Sequence, residues 1–139
     1  LEVSNRVAAD FTVQGGEQAA ANLLQAAPQI DAIWNHDDDQ GVGVLAAIEN
    51  AGRSEFFMVG GAGSANMMRE IQSGDSVVQA TVVYPSTQAA DGVRLARLLA
   101  QQKGMSDLVQ FEVPREIQLF APVVTQDNVE QYLPSAFES

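Results

Sequence analysis

Residues 31–52 read DAIWNHDDDQGVGVLAAIENAG, and their pattern decides the fold class. The apolar run Ala32-Ile33-Trp34 reads as a buried strand that gives way to a polar cluster over residues 35–40. Val44, Leu45 and Ile48 then recur at helical spacing, and Asn50-Ala51-Gly52 ends on a glycine able to take the left-handed cap. In open α/β sheets ligands bind beyond the carboxyl ends of the strands, so His36, Asp37 and Asp38 stand where a site is expected.

The same strand-then-helix rhythm extends in both directions. Residues 2–8 are expected as a strand, followed by a loop and a helix over about 16–27 that Pro28 ends. Residues 31–36 and 39–51 form the second unit; 55–60, a glycine-rich turn and 65–72 form the third. Residues 77–84 are rich in β-branched side chains and lead into a helix over about 87–102. The tail departs from this pattern. Residues 109–113 and 116–120 look extended, split by Pro114, and Thr125 is expected to start a short helix with Val129 and Tyr132 on one face and Pro134 at its end. Strands alternating with helices at this spacing imply an α/β fold, a parallel sheet with helices on both faces in three α/β/α layers. Phe56, Phe57, Leu95, Leu98 and Leu99 are expected in the core, and Trp34 in the core or a cleft wall.

The 139 residues, 46% of them hydrophobic, are enough for one domain with a real core. No run approaches the roughly 18 apolar residues of a membrane span. The opening LEVSNRV lacks the basic start and apolar centre of a signal peptide, which says nothing about a longer parent. With 18 acidic residues against seven Lys plus Arg, the net charge of −11 repels phosphate backbones, and the basic residues form no stripe. Nucleic acid is therefore not an expected partner. Zero cysteines exclude disulfides, thiolate metal sites and a cysteine nucleophile.

Asp37-Asp38-Asp39 suggests three roles. Calcium loops place their acids at alternate positions, unlike this run, so a metal site is not expected. An acid/base pair depends on a carboxylate separation that sequence does not contain. A cluster accepting hydrogen bonds from a polyhydroxy ligand suits ionised carboxylates, while Asp38 or Asp39 would also serve as the helix cap. The expectation is that one of these acids caps and Asp37 faces the ligand. His36, the only histidine, has no Cys or His partner for a metal and no G-x-S-x-G serine, so it reads as polar lining rather than a catalyst. Between a strand and a helix, Gly60-Gly61-Ala62-Gly63-Ser64-Ala65-Asn66 lacks both the third fingerprint glycine and a Walker lysine. Its glycines instead allow a tight turn, with backbone N–H groups or Ser64 near the cleft. Phe11 is an isolated loop aromatic, either a platform for the apolar face of a sugar ring or a buried anchor.

Taken together, DAIWNHDDDQGVGVLAAIENAG, FMVGGAGS, QATVVYP and VVTQDNVEQYLP resemble the ribose-type periplasmic sugar-binding proteins of bacterial ABC importers. The resemblance runs through essentially the whole chain in order. It implies two α/β lobes joined by crossover strands and closing on a sugar or polyol, of which this chain is the C-terminal portion. Residues from 1 to about 83 would belong to the second lobe, about 85–113 would contribute to the first, and about 116–139 would return. Position by position, Phe11 matches an aromatic that stacks on sugar, and Asp37 a polar residue that binds ring hydroxyls. Tyr84 falls near a hinge position that contributes a polar contact. Ala62 departs from the pattern: the usual G-F-D-G turn carries a ligand-binding aspartate there, and His36 or Asp37 would have to compensate. The implied protein is exported, uses no cofactor and delivers its ligand to an ABC permease.

Two other readings remain open at this point. The effector domain of a lactose-repressor-like regulator shares the fold, but its helix-turn-helix is not in this sequence. An enzyme using the acidic cluster has no nameable nucleophile or cofactor loop. For the isolated chain, weak or no sugar binding and self-association through exposed apolar surface are expected.

Overall fold

Three helices begin at a side chain that binds back to the helix it starts, which is why they start where they do. The computed structural model describes residues 2–103 and 116–138. In order, the elements are α1 (Val13–Ala26), β1 (Ala32–Trp34), α2 (Asp38–Ala51), β2 (Phe57–Ala62), α3 (Ala65–Ser73), β3 (Val78–Val83), α4 (Gln88–Ala100), β4 (Val123–Thr125), α5 (Val129–Tyr132) and a 3-10 turn, Leu133–Ser135. Thr12 accepts from the Gly15 amide, Asp37 from Asp39 and Ser64 from Met67. Each donor is one that a first turn leaves without an intrahelical acceptor. Helix α1 stops just ahead of Pro28, whose ring disfavours a helical residue before it. The Arg53 guanidinium then takes the free carbonyls of Leu24 at 3.1 Å and Ala27 at 2.7 Å.

The chain divides into two compact units, Leu1–Val83 with Pro122–Ser139, and Tyr84–Ala121. In the first, one sheet has the order β1-β2-β3-β4. Its first three strands are parallel, joined by α2 and α3, and β4 runs antiparallel to β3. The α/β class stands, with a mixed sheet in place of a parallel one. The chain re-enters at the carboxyl end of β3, where the Val83 amide donates to Pro122 O at 2.9 Å, so β4 has to run backwards.

Met58, Val78 and Val124 pack with Leu24, Ile48 and Ile71 in the core of this unit. Helices α1 and α2 cross with their backbones in contact. A Cβ on Gly16 would overlap the Gln40 carbonyl, and one on Gly43 the Val13 carbonyl. Strand alternation sends Ile33 and Met58 toward the helices and their neighbours away. Phe57 is accordingly 47% exposed, outside the core expected for it, and Trp34 at 73% is not core, which leaves its reading as a cleft wall; Phe56 is buried.

Three further expectations are corrected. Residues 2–8 form no strand: among the described residues no strand pairs with them, and backbone without a neighbouring ladder is not held as sheet. Thr125 ends β4 instead of opening a helix, because its amide donates to Asn128 Oδ1 at 2.8 Å and the helix waits until Val129. Residues 116–120 carry no regular structure, and 109–113 with Pro114 lie outside the described residues.

In the second unit α4 has no buried residue, and an Arg94–Asp91 ion pair of 2.8 Å lies along it. Leu95 and Leu98 are half-buried there and Leu99 is exposed, so none of the three is core.

Candidate functional site

Four consecutive residues where β1 gives way to α2 make contacts in different directions. Asp37 is the N-cap: its Oδ1 accepts the Asp39 amide at 3.0 Å, and its carbonyl accepts from the Asn35 side chain. The capping acid is thus Asp37, not Asp38 or Asp39, because the helix begins one residue earlier than the apolar period suggests. Asp37 is half-buried.

Asp38 is fully buried. Its Oδ1 accepts the Gly61 amide at 3.0 Å, and its Oδ2 accepts Gly63 at 2.9 Å and Ser64 at 2.8 Å. The Thr81 hydroxyl adds a bond from β3, 3.0 Å from Oδ2. Burial raises the Asp38 carboxyl above the ordinary aspartate range, against the lowering pull of these hydrogen bonds. Gly60 leaves room for this carboxylate, since a Cβ there would overlap Oδ1. The amides of the glycine turn, expected near the cleft, are therefore occupied by an internal carboxylate, and Ser64 is buried as the cap of α3. A phosphate would find those donors taken.

Asp39 is exposed and lines a cavity of about 320 Å³ with Phe11, Thr12, Val13, Val42 and Asn66. These residues gather the first turns of α1, α2 and α3, and the volume lies at the small end of the range for ligand pockets. Phe11 is 72% exposed, which removes its reading as a buried anchor. Gln40 is buried and donates to the carbonyls of Ala9 and Asp10 in the loop before α1. The three acids thus diverge, and among the described residues no three metal-ligating side chains converge.

His36 is exposed and its ring lies 4.3 Å from that of Trp34, with planes 32° apart. Ala62 ends β2 half-buried with φ of 103, a left-handed conformation that favours glycine. Tyr84 belongs to the second unit, where it is 47% exposed.

A Periplasmic binding protein domain matches residues 1–104. The chain belongs to that family. Among its relatives is the ribose import binding protein RbsB of Bacillus subtilis, 31% identical over 100 residues, which are 67% of this chain and 32% of that protein. A xylitol-binding protein of Mycolicibacterium smegmatis is 27% identical over 103 residues, 74% of this chain and 27% of that one. An ABC transporter solute binding protein from Agrobacterium vitis, solved with bound allitol, superposes with a TM-score of 0.74 at 22% identity. That match covers 97% of this chain and 45% of the other. This periplasmic binding protein chain spans about a third of the length of the ribose import relatives it matches.

Two residues with structural weight escaped the sequence reading of this periplasmic binding protein. Gln40 carried a signal, a polar residue at i−4 and i−8 from Val44 and Ile48 on the buried stripe of α2. Thr81, inside a β-branched strand, carried none.

Proposed function

We propose that this chain is part of a solute-binding protein that captures a sugar or polyol for import by an ABC transporter. The observation that carries the reading is the exposed Phe11 ring on a cavity shared with Asp39, where the first turns of three helices meet. An aromatic face suits the C–H face of a sugar, and carboxylates accept from its hydroxyls. Relatives named for ribose and xylitol support a neutral polyhydroxy ligand. Phe11 would stack on that ligand, Asp37 would bind its hydroxyls, and His36 and Ala62 would line the site. Tyr84, near the proposed hinge, would add a polar contact.

The division of the chain after Val83 and again before Pro122 supports a change of lobe at each point: residues 1–83 would belong to the second lobe and about 85–113 to the first, and the return expected over about 116–139 would begin at Pro122. Ligand would bridge the lobes, shift an open–closed equilibrium and let the closed form dock on a permease, with no turnover. The whole protein would be exported, to the periplasm or attached to the cell surface.

A thermal-shift panel of pentoses, hexoses and polyols on the full-length parent tests the reading. A ligand that binds only the folded state adds about 2.7 kcal/mol at a hundredfold excess over Kd, so one member should raise the midpoint clearly. Phe11→Ala should weaken that binding about tenfold with little change in stability. A folded parent that no sugar or polyol stabilises would sink the proposal.

A further inference from the structure

Resting on the reading of Phe11 as a ligand platform, we propose that Gln40 is the positioning residue that fixes it. Gln40 Nε2 donates to Ala9 O at 3.1 Å and to Asp10 O at 2.8 Å, the two carbonyls that immediately precede Phe11. Gln40 is 9% exposed, in a helix whose other buried side chains include Val44, Ala47 and Ile48. A primary amide in that place is costly unless its donors are satisfied, and these two carbonyls satisfy them. Asp10 O also accepts the Thr12 amide at 2.8 Å, and Thr12 caps α1. The backbone is therefore held on both sides of Phe11 while the ring stays open.

The anchor is well chosen mechanically. Gln40 lies in the first turn of α2, the turn capped by Asp37. Its backbone carbonyl meets Gly16 at the close crossing with α1. Phe11 and Asp37 are thus referred to one helix terminus. A loop aromatic held in advance loses less conformational freedom on binding than one that must be ordered by the ligand.

Gln40→Met keeps the side-chain length and removes both donors. Native-state hydrogen exchange should accelerate about tenfold at the Thr12 amide, the scale of losing hydrogen bonds of ordinary strength. Exchange at Ala20 in α1 and Ile48 in α2 should stay at the wild-type rate. No acceleration at Thr12, or an equal acceleration throughout both helices, overturns the proposal, since the second marks a general contribution to stability. If the variant does not fold, the wild type decides: the Gln40 side-chain amide protons should exchange far more slowly than those of exposed Gln14, and equal rates overturn it. With a ligand from the panel, Gln40→Met in the full-length protein should weaken binding about tenfold at an unchanged unfolding midpoint; unchanged affinity overturns the proposal. The exchange measurements need no ligand, so they separate failure of this proposal from failure of the sugar-binding reading.

Discussion

Asp38 and Ser64 tie the first turns of two helices together. The Asp38 carboxylate accepts the Ser64 amide at 2.8 Å, and the Ser64 hydroxyl accepts the Met67 amide at 3.3 Å. The same carboxylate takes the Gly61 and Gly63 amides and the Thr81 hydroxyl. The start of α2, the turn between β2 and α3, and the middle of β3 therefore depend on one buried side chain.

Replacing Asp38 by Asn would put an NH₂ group where one carboxylate oxygen now accepts N–H donors. Leaving a buried donor unpaired costs about 1–3 kcal/mol, so Asp38→Asn should destabilise by that amount and Asp38→Ala by more. Denaturant titration of purified variants measures it, and a loss well under 0.5 kcal/mol would show that the turn does not rely on this carboxylate.

The raised Asp38 pKa has a definite sign in a stability profile. The folded protein holds this proton more tightly than the unfolded chain. Its contribution to stability is fully present below the ordinary aspartate value and is lost as pH rises through the higher folded value. Glu55 and Glu138 are shifted the other way by hydrogen bonds from Arg53 and Arg69, so their contributions fade as pH falls. The stability gap between wild type and Asp38→Asn isolates the first effect. It should be widest in acid and narrow as pH rises; a gap that widens with rising pH contradicts the assignment.

Ala62 at φ of 103 stores backbone strain of about 1–3 kcal/mol. Glycine would release it while adding roughly 0.5–1 kcal/mol of unfolded-state entropy. Ala62→Gly should thus raise stability by up to about 2.5 kcal/mol, visible as a higher thermal midpoint. A lower midpoint would mean that the methyl group is held by packing worth more than the strain.

Trp34, Phe57 and Val123 leave apolar surface open on the first unit, with Trp34 73% exposed. The isolated chain should self-associate in sedimentation runs, more strongly as salt screens its charge of −11, and Trp34→Ser should weaken the association. A single monomeric species at every salt concentration and at high protein concentration goes against this.

Much of the fold was legible because its signals are local. Gly52 closes α2 where the periodicity stops, and Pro28 stands just past the end of α1, each by backbone geometry that needs no distant partner. Residues 2–8 misled for the opposite reason. Val3 and Val7 have strand character, but a strand exists only when another strand supplies its hydrogen bonds. Trp34 misled through its neighbours: an apolar run does not say which of its members face the helices.

The sequence by itself determined the α/β class, the order of α1 to β3 and the placing of His36 and Asp37 beyond the carboxyl end of β1, because hydrophobic period, caps and turn residues act within a few positions of one another. Only the tertiary structure decided how the run from Asp37 to Gln40 divides its labour: a cap, a buried brace, a cavity wall and a loop anchor. Those roles rest on partners 23 to 43 residues away in the case of Asp38 and Gln40. Three adjacent aspartates are chemically the same in the chain, and packing alone settles which is buried and which meets solvent.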